Sequence, residues 1–200
     1  ASWQSFQNKI NRVEKEDGAT TLTREQWVSP LLRQLGFDGL QYCRTAATVG
    51  GRNYPISHRF GEKETGLPIH IEGVNAELGK RPPNGRLHVS PHSLLQEYLN
   101  RTDHLWGMVT NGYQLRILRD ATRMSRPTFL EFNLRQMMKA EQFAEFQLLF
   151  RIAHRTRWPQ ALDKAHDCWL EKYFQNGIES GSRVRERLRD GVEKALKIFG

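Results

Sequence analysis

The sequence predicts a mixed α/β domain, a sheet flanked by helices, followed by a further helical segment. Three observations lead there. Short runs rich in β-branched and aromatic residues crowd residues 38–80 and 105–134. A Ser-Pro helix start interrupts them at residue 90, and from residue 134 onward the apolar spacing turns helical. Ten Phe, five Trp and five Tyr can fill a core, and 200 residues suit one domain or one domain with an appendage. The chain divides into a leader (1–22), an α/β core (23–134) and a helical spacer or bundle (135–200).

Residues 1–20 are polar and weakly patterned, a loose leader or a short helix. TREQWVSPLLRQLG, residues 23–36, reads as a helix. Thr23 and Gln26 form a capping box, Trp27, Leu31 and Leu35 share a face, and Gly36 stops it. Pro30 should kink it, or restart it after Ser29. LQYCRTAATV, RNYPISHRF and LPIHIEGVNAEL read as three strands, the first two a hairpin turned at Gly50-Gly51. KRPPNGR, residues 80–86, is a basic loop. Ser90 caps a helix that has Pro91 in its first turn and ends near Asn100.

LWGMVTNGYQLRILRD is a hairpin signal: an apolar run, an Asn-Gly turn, and Tyr113, Leu115 and Ile117 alternating with Gln114, Arg116 and Leu118. PTFLEFNL, residues 127–134, is one more strand. Phe143, Phe146, Leu149, Phe150 and Ala153 then mark one helical stripe. ALDKAHDCWLEKYFQNG and SRVRERLRDGVEKALKIF are two further helices. The last ends at residue 200 without a convincing cap, which reads as a cut inside a longer protein.

No apolar run reaches the roughly 18 residues of a membrane span. The N-terminus lacks a basic segment followed by a greasy one, so no secretory signal is expected and the expected location is cytoplasmic. Cys43 and Cys168, far apart, read as reduced thiols rather than a disulfide or metal motif. The net charge is +8, from 30 Lys+Arg against 22 Asp+Glu. Such a balance attracts polyanions, nucleic acid first among them. Arginine dominates the excess, and its planar fork can bond two phosphate oxygens.

Phosphate-binding loops, HExxH and GxSxG are absent. Carboxylate chemistry on a sheet is the remaining enzymatic reading. A magnesium-dependent nuclease needs two neighbouring acidic groups for the metal and a polarising group such as Lys beside the attacking water. A strand presenting Glu and Lys two residues apart puts both on one face. Glu72 is the candidate, but two residues on stands Val74. YPISHRF has no Asp, and His58 is its nearest polar substitute. Glu77 and Lys80 follow in the loop, and Gln96 and Tyr98 lie on the next helix.

SLLQEYLNRTDHLWGMVTNGYQLRILRD, with PTFLEFNL after it, resembles the N-terminal nuclease-type domain of restriction enzymes. Through PLLRQLGF, YPISHRF, CWLEKY and RVRERLRDGVEKAL the chain is similar, over roughly residues 25–200, to the N-terminal region of type IIG-like restriction–modification proteins. These are N6-adenine DNA methyltransferases of phage-defence loci. The resemblance implies a restriction-endonuclease-like, PD-(D/E)XK-type core leading into a downstream methyltransferase that uses S-adenosylmethionine. The methyltransferase motifs are absent here, so this segment itself would carry no cofactor, or Mg²⁺ if it cleaves. The catalytic Asp falls near Ser57 or His58, the Glu on Glu72, its Lys on Val74 and the helix Gln on Gln96.

Each residue also has a plainer reading. Glu72 can be a strand-end surface carboxylate, Gln96 a partner of backbone, and Thr110-Asn111-Gly112 a tight turn. Arg183, Arg185, Arg187 and Arg189, beside Glu186 and Asp190, can be a solvated helix face, a phosphate track or a contact with a downstream domain. Candidate DNA contacts are Lys80, Arg81 and Arg86 in one loop, Arg116, Arg119, Arg123 and Arg126 about the hairpin, and Arg151 and Arg155 on a helix. The functional expectation is a DNA-engaging, catalytically degenerate nuclease-like domain on double-stranded DNA, with no membrane partner. The alternatives are an active metal-dependent endonuclease using Glu72, Gln96, His58, Glu77 and Lys80, and a scaffold for other defence subunits.

Overall fold

The computed structural model describes residues 2–13, 18–62, 64–82, 88–122 and 129–199. It begins with α1 (Ser2–Ile10), whose Phe6 and Ile10 are buried. Phe6 and Trp3 meet Trp27 and Tyr113 edge to face or stacked, so part of the expected leader belongs to the core.

A helical run follows as α2 (Thr20–Thr23), a π-turn (Arg24–Val28) and α3 (Ser29–Gln34). It starts three residues before the expected capping box. Thr23 therefore caps nothing, and its hydroxyl accepts the Val74 N–H at 3.2 Å. Pro30 does not break the helix. It has no N–H to donate, and the widened turn before it gives its ring room while Ser29 N–H reaches back to Arg24 O.

The strands are shorter and more numerous than expected. β1 (Gln41–Tyr42), β2 (Ala47–Val49), β3 (Arg52–Tyr54), β4 (His58–Phe60) and β5 (Leu67–Ile71) come before the crossover. β2 and β3 form their own hairpin, turned by Gly50 and Gly51 at φ 56° and 76°. Both angles are left-handed, as a tight hairpin turn needs. Pro55 separates β3 from β4 because it offers no ladder donor. Next come α4 (Pro91–Asn100), capped by Ser90 Oγ accepting Ser93 N–H at 3.1 Å, then β6 (Trp106–Thr110), β7 (Gln114–Arg119) and β8 (Phe129–Asn133). The order in the main sheet is β1-β4-β5-β6-β7-β8. Only β5 and β6 run parallel, joined through α4.

Two apolar clusters cover the two faces of the sheet. Ile69, Ile71, Met108, Leu115 and Ile117 pack with α1, the 20–34 run and the C-terminal helices. Val109 and Leu118 pack with Leu94, Leu95, Tyr98 and Leu99 of α4 and with Tyr54 of the β2–β3 hairpin. The Thr110-Asn111-Gly112 turn docks these layers. Asn111 Oδ1 accepts the Tyr113 and Gln114 N–H groups, Asn111 Nδ2 donates to Ala76 O, and Trp27 Nε1 donates to Gly112 O at 2.7 Å.

α5 (Leu134–Lys139) and α6 (Phe143–Ala153) follow. Of the expected stripe, Leu149 and Ala153 are buried, while Phe143 is 69% and Phe150 41% exposed. Residues 162–167 form a 3₁₀ turn, and the two expected final helices are one, α7 (Trp169–Phe199). Asn176-Gly177 does not end it. Cys168 is buried, with its thiol pKa raised by burial, and both cysteines are free thiols. Among the described residues, no helix is long and apolar enough to cross a membrane.

Candidate functional site

The parallel strands β5 and β6 end side by side, a common place for a site in an α/β sheet. Glu72 comes directly after β5, and its N–H donates to Thr110 O at 2.9 Å. Its carboxylate lies 3.0 Å from His70 Nε2. His70 Nδ1 accepts the Ser57 N–H at 3.3 Å. With Nδ1 accepting, Nε2 is the ring nitrogen placed to donate a hydrogen to Glu72. Ser57 Oγ accepts the Ile71 N–H and meets His58 Nδ1, each at 2.8 Å. A bonded chain thus runs from Glu72 through His70 and Ser57 to His58.

His58 points to the opposite face of the sheet, where its ring meets Tyr42 and Arg24 lies over Tyr42 at 4.9 Å. Burial, then the nearby Arg24 and His70, lower its pKa to about 4, so His58 is neutral at pH 7. The two places where sequence reasoning looked for metal-binding acids, His58 and Glu72, are linked only through Ser57 and His70, with the His58 ring on the far face of the sheet. They do not form a carboxylate pair. Val74, two residues past Glu72, is 8% exposed and belongs to the core. Among the described residues, no group of three His, Cys, Asp or Glu side chains is placed to hold a metal.

The other candidates lie elsewhere. Gln96 Nε2 donates to Asn100 Oδ1 and Arg119 O, at 3.0 and 2.9 Å. Arg119 pairs with Trp106 at the start of β6, so Gln96 sits at the opposite end of the sheet from Glu72. Glu77 and Lys80 are exposed and pair with each other at 2.8 Å. Arg81 is exposed, and Arg86, Arg123 and Arg126 lie outside the described residues.

Arg116 is held by Glu131 at 2.6 Å and lies over the Phe129 ring. Arg119 makes two 2.8 Å bonds to Glu171 and lies over Phe174. Arg155 covers Phe60 and donates to Trp158 O, and burial lowers its pKa. These three arginines hold elements together. Arg151 is exposed, beside an apolar cavity of about 480 Å³ against α7.

Sequence reasoning missed His70 and Arg59. His70 lies inside a run that reads as plain apolar strand, and its partner Ser57 arrives only through β4–β5 pairing. Arg59, at the centre of β4, lines a cavity of about 740 Å³ under the β2–β3 hairpin and α4. No protein family, curated protein or solved structure matches this chain.

Proposed function

We propose that the chain is a DNA-engaging, nuclease-like domain whose catalytic site has degenerated, the N-terminal part of a restriction–modification or defence DNA methyltransferase acting on double-stranded DNA in the cytoplasm. One observation carries the degenerate reading. Glu72 stands at the end of the parallel pair bonded to a histidine, while the position of the polarising lysine is Val74, sunk in the core. Among the described residues, the positions where the spacing calls for a second acid and a lysine hold His58 and Val74 instead. Methyl transfer would belong to a downstream domain with S-adenosylmethionine. DNA engagement rests on the +8 charge and on exposed cations: Lys80 and Arg81 in the loop before α4, and Arg183, Arg185 and Arg187 on α7.

The test combines duplex binding by fluorescence anisotropy with plasmid cleavage in Mg²⁺ and in Mn²⁺. The expected result is binding without cleavage, with log Kd rising against log salt by about 0.9 per phosphate contact. Replacing Arg183, Arg185 and Arg187 by Ser should lower that slope by about 2–3. Cleavage that Glu72→Ala abolishes would overturn the degenerate site. Absence of binding at low salt would overturn DNA engagement. The scaffold reading draws on one observation of its own: Phe129, Leu130, Phe143, Leu148 and Phe150 are each 41–69% exposed. It predicts self-association or partner capture that does not weaken with salt.

A further inference from the structure

Arg59 is 7% exposed, and its place in β4 is fixed by pairing with Gln41 of β1 and Pro68 of β5. Its Nη2 donates to Tyr98 Oη at 2.9 Å, and the guanidinium lies 5.4 Å from the Tyr98 ring centre. Its Nη1 is buried and has no hydrogen-bond partner among the described residues. Nor does Arg59 form an ion pair with any carboxylate among them. Arg116 and Arg119, whose side chains are 14% and 15% exposed, are by contrast each matched by a carboxylate, Glu131 and Glu171. A permanently charged group taken out of water without a counter-charge is costly, and an orphaned N–H adds to that cost.

Arg59 lines the cavity of about 740 Å³. That volume lies in the range of sites that enclose a nucleotide-sized molecule. Ile56 and Val49 give the cavity apolar walls on which a flat ring can rest. Arg44 and Thr45 stand exposed at its rim, with Glu64 and Asp103. Tyr98 also lines it. Because Tyr98 Oη accepts from Arg59, its own hydrogen is left to donate. Arg59 Nη1–H and Tyr98 O–H are thus two donors on residues that line the same cavity. An oxyanion there would supply both acceptors and the missing negative charge.

We propose that this cavity binds a phosphorylated small molecule of nucleotide size, its phosphate held by Arg59 and Tyr98. The site is separate from the Glu72 cluster and stands whether or not the domain grips duplex DNA. A phosphate monoester can come from a free mononucleotide or from the 5′ end of a DNA strand.

The test is calorimetric titration of the full chain with inorganic phosphate, deoxyadenosine 5′-monophosphate, deoxyadenosine, and a short oligonucleotide with and without a 5′-phosphate. The two phosphate-bearing small probes should bind saturably, and deoxyadenosine at least about tenfold more weakly than its monophosphate. Arg59→Met should weaken the monophosphate by about 10- to 100-fold. Thr45→Trp, on the exposed rim, should block the cavity without touching the buried pair. A preference for the 5′-phosphorylated oligonucleotide over the mononucleotide assigns the site to strand ends, and the reverse to free nucleotides. The proposal falls if no phosphate probe binds the folded chain. It falls equally if binding persists unchanged in Arg59→Met, or in Thr45→Trp should Arg59→Met fail to fold.

Discussion

Arg119 lies between the carboxylate of Glu171 and the ring of Phe174, fastening β7 to the first turn of α7. Burial alone would raise the Glu171 pKa, but hydrogen bonds from Arg119 and Gln175 outweigh it, and the net shift is downward. Arg119→Met keeps the stem and leaves Glu171, 3% exposed at its side chain, without its cation. The expected loss is about 3–5 kcal/mol in urea unfolding, because breaking one half of a buried pair strands the other.

His58 sets an acid limit by a separate route. Its folded pKa of about 4 lies below the ordinary 6.5, so the unfolded chain binds a proton that the folded chain refuses. Stability is therefore complete above pH 6.5 and falls as the pH drops toward 4, by about 1.4 kcal/mol per unit within that window. His92 and His104, also lowered by burial and by Arg116 and Arg59 respectively, act in the same direction. Glu171 adds its own loss only below its ordinary 4.5. Urea midpoints measured from pH 7 to 4.5 should decline, and His58→Asn should flatten part of that decline. An unchanged slope in the variant would remove His58 from the account.

At the scale of elements, the 110–114 turn ties both faces of the sheet together. Gly112 has φ 82°, and a Cβ built there would stand 2.7 Å from Thr23 Cγ2. Gly112→Ala combines left-handed strain with a clash against the side-chain methyl of Thr23, so it should cost about 2–5 kcal/mol by thermal or urea unfolding. A loss under 1 kcal/mol would mean that the 20–34 run shifts freely against the turn. This hairpin was legible in the sequence because its signals are local: an Asn-Gly turn between an apolar run and an alternating one. The Ser90-Pro91 start of α4 was legible for the same reason. Thr23 misled because its hydroxyl is used by Val74, 51 residues away, and no local pattern announces that. The candidate site divides along the same line. Glu72 and its missing lysine could be read from spacing along one strand. The His70–Ser57 contact and the Arg59 cavity depend on which strands become neighbours, so the sequence gives no spacing for them.

At the scale of the molecule, α7 joins the core through Leu170 and Glu171 and then leaves it. Leu170 is 2% exposed, Phe174 packs partly on the core, and residues 175–190 are all exposed. This stretch contains Gly177 and Gly181, each costing a helix about 1 kcal/mol relative to Ala. It has no tertiary packing among the described residues to offset that cost, and isolated helices of this length are marginal in water. Ile178, Val184, Leu188 and Val192, each 49–65% exposed, recur near helical spacing and form an apolar stripe between the arginines. The distal half should therefore open without disturbing the sheet. Brief trypsin treatment should cut first at Arg183, Arg185, Arg187 or Arg189. Chains ending at Gly177 should keep the unfolding free energy of the full chain, from urea titration, to within about 0.5 kcal/mol, as for surface changes that remove no buried contact. A larger loss, or a helix that resists trypsin at those arginines, would show that the distal half of α7 draws stability from the core or from another copy of the chain. Repeating the digestion across a hundredfold range of protein concentration would tell these two apart, since only association between copies depends on concentration.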